Sequence, residues 1–136
     1  MSLLHDLIRR FEGLRLRAYL CPAGVWTCGY GSTGPDVSRG TVWSAPQADE
    51  RMTRDAQVFT AGAARYCPSL RGDGLDAIAD FAYNLGLTRL AGSTLRRKIN
   101  SGDTAGARAE LLRWVRAGGR VLPGLVARRV AESQYI

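Results

Sequence analysis

Phe11-Glu12-Gly13-Leu14-Arg15-Leu16-Arg17-Ala18-Tyr19, followed by Leu20-Cys21-Pro22-Ala23 and then Gly24-Val25-Trp26-Thr27-Cys28-Gly29-Tyr30-Gly31, is the stretch in which the chain changes pattern most sharply. Before it, Leu3, Leu4, Leu7, Ile8 and Phe11 fall at helical spacing behind Ser2, a suitable N-cap. This predicts a short amphipathic helix over residues 3–11, stopped at Gly13. From Arg15 to Ser32 the pattern becomes alternating and aromatic, with Pro22, Ala23 and Gly24 as turn residues between two runs. A small antiparallel hairpin follows, Leu16–Leu20 paired with Val25–Tyr30. Glu12 stands at the junction of helix and hairpin. A carboxyl there can lie over a cleft, and apolar neighbours such as Phe11 and Tyr30 would favour its protonated form, as a glycosidase general acid requires.

Outward from this stretch the chain is loop-like through Gly40 and then helical. Ser44-Ala45-Pro46-Gln47 combines an N-cap, a first-turn proline and a capping-box glutamine, which predicts a helix over about 45–66 that ends before Pro68. Asp73 opens a second helix, in which Leu75, Ile78, Ala79, Ala82 and Leu85 face a core and Gly86 is the stop. Ser93 caps a short helix to Ile99, and Asp103 caps another running to about Val115. Gly118-Gly119 is a turn, and Pro123 opens a last helix reaching Glu132. The expected class is α+β in a single domain over residues 1–136, with one small sheet near the N-terminus and a helical remainder.

At 136 residues the chain is long enough for a core without cross-links. No run approaches the roughly 18 apolar residues of a membrane span, so stable membrane insertion is not expected. The first ten residues, with Asp6, Arg9 and Arg10, do not form a secretory signal. The net charge of +7 points to an anionic partner; nucleic acid, acidic membrane and cell-wall polymer all satisfy it. Cys21, Cys28 and Cys67 are odd in number and lack the spacing of a zinc or redox site. With His5 as the one histidine, no metal cluster can be assembled and no cofactor is expected. Cys28 follows Thr27 directly and points to the opposite strand face, which makes it a small buried hydrophobe and argues against a Cys21–Cys28 disulfide.

Glu12, Cys21 and Thr27 are separated by eight and five residues. With Glu12-Gly13, Ala18-Tyr19 and Trp26-Thr27-Cys28-Gly29-Tyr30-Gly31 around them, they resemble the catalytic signature of the phage-type (T4-like, glycoside hydrolase family 24) lysozymes. Further segments resemble that family in the same order: Asp80-Phe81-Ala82-Tyr83-Asn84-Leu85-Gly86; Ser93-Thr94-Leu95 through Asn100 to Asp103; and Arg113-Trp114 through Gly124-Leu125-Val126 to Arg128-Arg129. The resemblance spans nearly the whole chain. It implies a lysozyme-like fold, with the hairpin lobe beside a mainly helical lobe and the active-site cleft between them.

It also implies an endolysin that hydrolyses the β-1,4 bond between N-acetylmuramic acid and N-acetylglucosamine in bacterial peptidoglycan. Glu12 would protonate the leaving oxygen, Cys21 would stand at the position of the second catalytic group, and Thr27 would hold the attacking water. Gly31, Thr33, Tyr83, Asn84 and Thr94 would line the sugar-binding groove, while Trp26 and Trp114 are read as core. The enzyme would act as a monomer, accumulating in the host cytoplasm until a holin lesion releases it to the wall.

Two residues depart from the family pattern. Cys21 is not a carboxylate, and glycoside hydrolysis ordinarily uses two; Asp36 and Asp49 are nearby in sequence but have no matching motif position. Ser32 stands where relatives commonly carry His. A peptidoglycan-binding module with catalysis lost through Cys21 is the alternative, yet loss of Glu12 or Thr27 would be its mark and both are present. A nucleic-acid binder is suggested by charge alone, without a helix-turn-helix, zinc-finger or RNP pattern.

Overall fold

The computed structural model describes residues 2–136. Helix α1, Leu3–Glu12, is capped by the Ser2 hydroxyl, which accepts from the His5 amide, and it buries Leu4, Leu7 and Ile8. Gly13, at φ +69°, ends it in a conformation disfavoured for other residues. Strands β1, Arg15–Leu20, and β2, Trp26–Gly29, pair antiparallel with Tyr19 opposite Thr27 and Leu20 opposite Trp26. A register shift between Arg15 and Tyr19 bends β1. The segment after Gly40, expected to leave the loop region directly for a helix, first adds to the open edge of β1. The Ala18 amide donates to Thr41 O and the Trp43 amide to Leu16 O, each at 2.8 Å.

Helix α2, Ala45–Tyr66, begins with the expected capping box: Ser44 accepts from the Gln47 amide while the Gln47 side chain accepts from the Ser44 amide. Helix α3, Gly72–Leu85, runs through the core. Helices α5, Thr94–Asn100, and α7, Pro123–Ser133, start where Ser93 and Pro123 predict. The core gathers Ile8 of α1, Met52 of α2, Ile78, Phe81 and Ala82 of α3, and Leu95 of α5. Hydrophobic burial of this kind is what holds short helices that are marginal alone. The hairpin lobe and the helical body agree with the α+β, lysozyme-like class.

Three local expectations are corrected. A one-turn helix α4, Leu87–Ala91, follows Gly86 and buries Leu90. Helix α6, Thr104–Leu111, stops short of Val115. Its last turn tightens as the Trp114 amide reaches back to Leu111 O, which sets the Trp114 indole edge-on against Phe81 at 5.5 Å. The chain then forms a second small hairpin, β3 (Arg116–Ala117) and β4 (Arg120–Val121), around Gly118-Gly119.

Candidate active site

The end of α1 carries Glu12 to the mouth of a cleft of about 500 Å³, whose lining includes Phe11, Asn84, Leu122, Leu125 and Arg128. The apolar neighbours expected around Glu12 include Phe11, but a cation stands there as well. Glu12 Oε2 accepts a hydrogen bond from Arg128 Nη1 at 2.6 Å, and Arg128 is itself buried on α7. The remaining edge of that guanidinium is taken by Asp80 of α3, which accepts from Nε at 2.9 Å and Nη2 at 2.8 Å. Burial alone would lower the Arg128 guanidinium, but Asp80 and then Glu12 raise it, so it stays charged. Burial alone would raise the Asp80 carboxyl, but hydrogen bonds from Arg128 and Glu132 together with the charges of Arg128 and Arg129 pull it below the ordinary carboxylate range.

The same cluster continues on α7. Arg129 Nη2 donates to Asn84 Oδ1 at 2.7 Å and Arg129 Nε pairs with Glu132 Oε1 at 2.9 Å. Burial, reinforced by Asp80, pushes the Glu132 carboxyl well above its ordinary value.

The other oxygen of Glu12 faces the loop after β2. A Cβ placed on Gly31 would lie 2.5 Å from Glu12 Oε1, so this loop reaches the carboxyl because residue 31 has no side chain. Two contacts hold the loop there. The Tyr83 hydroxyl donates to Tyr30 O at 2.6 Å, and Cys28 and Ser32 exchange backbone hydrogen bonds at 2.9 Å. Ser32 is buried and its hydroxyl donates to Asp55 Oδ2 at 2.7 Å, tying the loop to α2. Thr33 contributes its carbonyl to Arg51 Nη2 at 2.5 Å.

Cys21 sits at the start of the β1–β2 turn, its amide donating to Val25 O at 3.0 Å. Hydrogen bonds from Val25 and Ala23 in the turn, with Thr27 added, favour the thiolate and draw the thiol below its usual value. The Thr27 hydroxyl lies beside it and donates to Val25 O at 3.0 Å. Burial raises the Tyr19 phenol, and the nearby charge of Glu12 and then Cys21 adds to this, so both groups lie within electrostatic reach of Tyr19.

Glu12 and Asn84 line one cleft and Gly31 lies against Glu12 Oε1, with Cys21 and Thr27 paired on the hairpin. Tyr83 is close by, but its hydroxyl is engaged by Tyr30 O and its ring packs against Phe59. Thr94 is placed at the start of α5, where its hydroxyl accepts from Arg97 Nη2 at 2.8 Å. Cys28 is fully buried, its thiol pointing at the Arg15 and Leu16 carbonyls at 3.6 Å, and all three cysteines are free thiols. Among the described residues no three His, Cys, Asp or Glu side chains converge as a metal site requires. Arg128 and Asp80 were not singled out as site residues by sequence reasoning. Their signal was present: a lone carboxylate inside Ile78-Ala79-Asp80-Phe81-Ala82 needs a buried cationic partner.

Comparison with known proteins agrees with this architecture. The "Phage lysozyme" family model matches residues 9–132. The endolysin of Acyrthosiphon pisum secondary endosymbiont phage 1 is 44% identical over 132 residues, covering 93% of this chain and 90% of that protein. The endolysin of Bacillus phage PZA is 42% identical over 131 residues; the match covers 94% of this chain but only 51% of that longer protein. Among solved structures, the muramidase domain of SpmX from Asticaccaulis excentricus superposes with a TM-score of 0.89 at 28% identity, covering 99% of this chain and 95% of that one. The chain belongs to the phage lysozyme family.

Proposed function

We propose that this protein is an endolysin of the muramidase type, hydrolysing the β-1,4 bond between N-acetylmuramic acid and N-acetylglucosamine in bacterial peptidoglycan. The observation that carries the reading is the asymmetric setting of Glu12: Arg128 holds Oε2 at 2.6 Å, while Oε1 is turned toward the Gly31 loop at the cleft. A carboxyl fixed by one oxygen presents the other in a constant direction, as general acid catalysis needs. Oε1 delivers a proton to the leaving glycosidic oxygen as the bond from the anomeric carbon to that oxygen breaks. A water opposite attacks the same carbon.

Thr27 donates its own proton to Val25 O, which leaves its lone pairs to accept from that water. The Cys21 thiolate, favoured by the turn amides, takes the water's other proton. Protons exchange with solvent to restore Glu12 and Cys21. A water between the two groups makes the reaction inverting, and a retained anomer or a trapped glycosyl thioether would contradict this route. Gly31, Thr33 and Asn84 border the groove that the glycan occupies.

The net charge of +7 favours capture of the anionic wall. Among the described residues no helix is long and apolar enough to cross a membrane, and we propose accumulation in the host cytoplasm with release to the wall through a holin lesion. The test is clearing of outer-membrane-permeabilised Gram-negative cells by the wild type and by Glu12→Gln. Clearing that Glu12→Gln abolishes supports the muramidase reading. Peptidoglycan binding without clearing by the wild type would replace it with a docking role.

A further inference from the structure

We infer that Asp80 is a positioning residue for Glu12, acting through Arg128; the inference rests on the reading of Glu12 as general acid. Helix α3 is otherwise built for a core, with Ala77, Ile78, Ala79, Phe81 and Ala82 buried around an Asp80 that is itself 0% exposed. A carboxylate in such surroundings is retained only with a well-oriented partner. Arg128 supplies it through two parallel N–H donors at 2.9 and 2.8 Å, a fork that sets both the plane and the direction of the guanidinium. The donor left over, Nη1, then points at Glu12 Oε2 at 2.6 Å.

Asp80 does two things to Glu12 that Arg128 alone could not. It removes the rotameric freedom of a long side chain, so that the hydrogen bond arrives from a fixed direction. It also takes up part of the guanidinium charge, which would otherwise bear on Glu12 undivided. The titratable and charged groups facing Glu12 are Tyr19 of β1, Tyr83 of α3, and Arg128 and Arg129 of α7, with Asp80 behind Arg128 and Arg10 of α1 lining the same cleft. Of these, Asp80 is the group bound to both other donors of the arginine that holds the acid.

Asp80→Asn in the full chain is the test, with kcat and KM measured on soluble peptidoglycan fragments across pH. We expect a folded protein with KM within about twofold of wild type and kcat lower by about tenfold or more, the scale set by misplacing a catalytic group. The alkaline limb of kcat moves to lower pH, because the Arg128 charge then bears on the Glu12 carboxyl undivided. A folded variant with unaltered kcat and an unaltered limb would overturn the inference and leave Asp80 a structural ion.

A readout without turnover separates this from the functional reading: the side-chain carboxyl carbon of Glu12, titrated by NMR in wild type and Asp80→Asn. A midpoint moved to lower pH supports the positioning role even if the wild type cuts no glycan; an unmoved midpoint overturns it. Should Asp80→Asn fail to fold, Asp80→Glu keeps the charge and displaces it by one methylene. A lower kcat or a moved Glu12 midpoint then supports the role, and wild-type values for both overturn it.

Discussion

Glu12 and Gly31 occupy neighbouring space so closely that a methyl group on residue 31 would meet Glu12 Oε1 at 2.5 Å. Gly31 also has φ +78°, where side-chain-bearing residues are strained. Gly31→Ala is therefore expected to cost about 1–2 kcal/mol of stability from the backbone and to displace the carboxyl besides. Gly40→Ala separates the two effects, because Gly40 has φ +86° but its Cβ would meet nothing within 4 Å. Thermal unfolding should show similar losses for the two variants. Cell-wall clearing should fall by about tenfold or more only for Gly31→Ala. Equal activity in both would mean that the Glu12 carboxyl tolerates displacement.

Cys21 and Thr27 yield a prediction about pH. If the thiolate is the base, the rate falls as pH drops through the thiol's own value. The turn hydrogen bonds place that fall below the roughly 8.5 of an ordinary thiol. Cys21→Ser cannot ionise in this range and should lose about 100-fold or more in kcat, together with the acid limb. Cys21→Asp should recover much of the rate, with the limb shifted toward the carboxylate range near about 4. A Cys21→Ser enzyme of wild-type rate would show that Thr27 alone manages the water.

How much of this was readable before folding follows the range of the interactions. Ser2, the Ser44–Gln47 box, Ser93 and Pro123 act within one helical turn, and each helix start they mark is found where expected. Helix α4 carries no side-chain cap and spans one turn, so no local signal announces it; burial of Leu90 holds it. Helix α6 is cut short by a tertiary contact, Trp114 against Phe81, which helical periodicity cannot register. The site divides in the same way. Glu12, Cys21 and Thr27 lie in one contiguous motif, whereas Asp80 and Arg128 meet Glu12 across separations that only packing of α1, α3 and α7 closes. Tyr83 was legible as part of a helix that resembles the family's central one, but not the use of its hydroxyl on Tyr30 O.

Tyr83→Phe tests that last contact. The ring would still pack on Phe59 at 5.3 Å, so the change removes the hydroxyl alone and leaves Tyr30 O short of its donor. A loss of about 1–2 kcal/mol in denaturant unfolding is expected. Loosening of the loop that carries Gly31 should lower kcat more than it raises KM. A raised KM with unchanged stability would instead assign the phenol to sugar binding.

Glu132 and Arg129 are both fully buried on α7, and the two simplest substitutions of Glu132 should behave in opposite ways. Burial, and after it Asp80, pushes the Glu132 carboxyl well above the ordinary range. Glu132→Gln keeps a donor for Asp80 and an acceptor for Arg129 and should change stability at pH 7 by no more than about 1 kcal/mol. Glu132→Ala strands the Arg129 guanidinium and should cost about 3–5 kcal/mol. The raised carboxyl contributes its full stability below its unfolded value of about 4.3 and loses it as pH climbs through the folded value. Asp80, held low by Arg128, works the other way and loses its contribution as pH falls through its own depressed value. Unfolding free energies measured from pH 3 to pH 9 should therefore show Glu132→Gln gaining on wild type as pH rises above about 4.3, while both retain the acid-side loss that Asp80 causes. Wild type gaining on Glu132→Gln as pH rises through about 4.3 would mean instead that Glu132 is ionised in the folded protein and pairs with Arg129 as a full salt bridge.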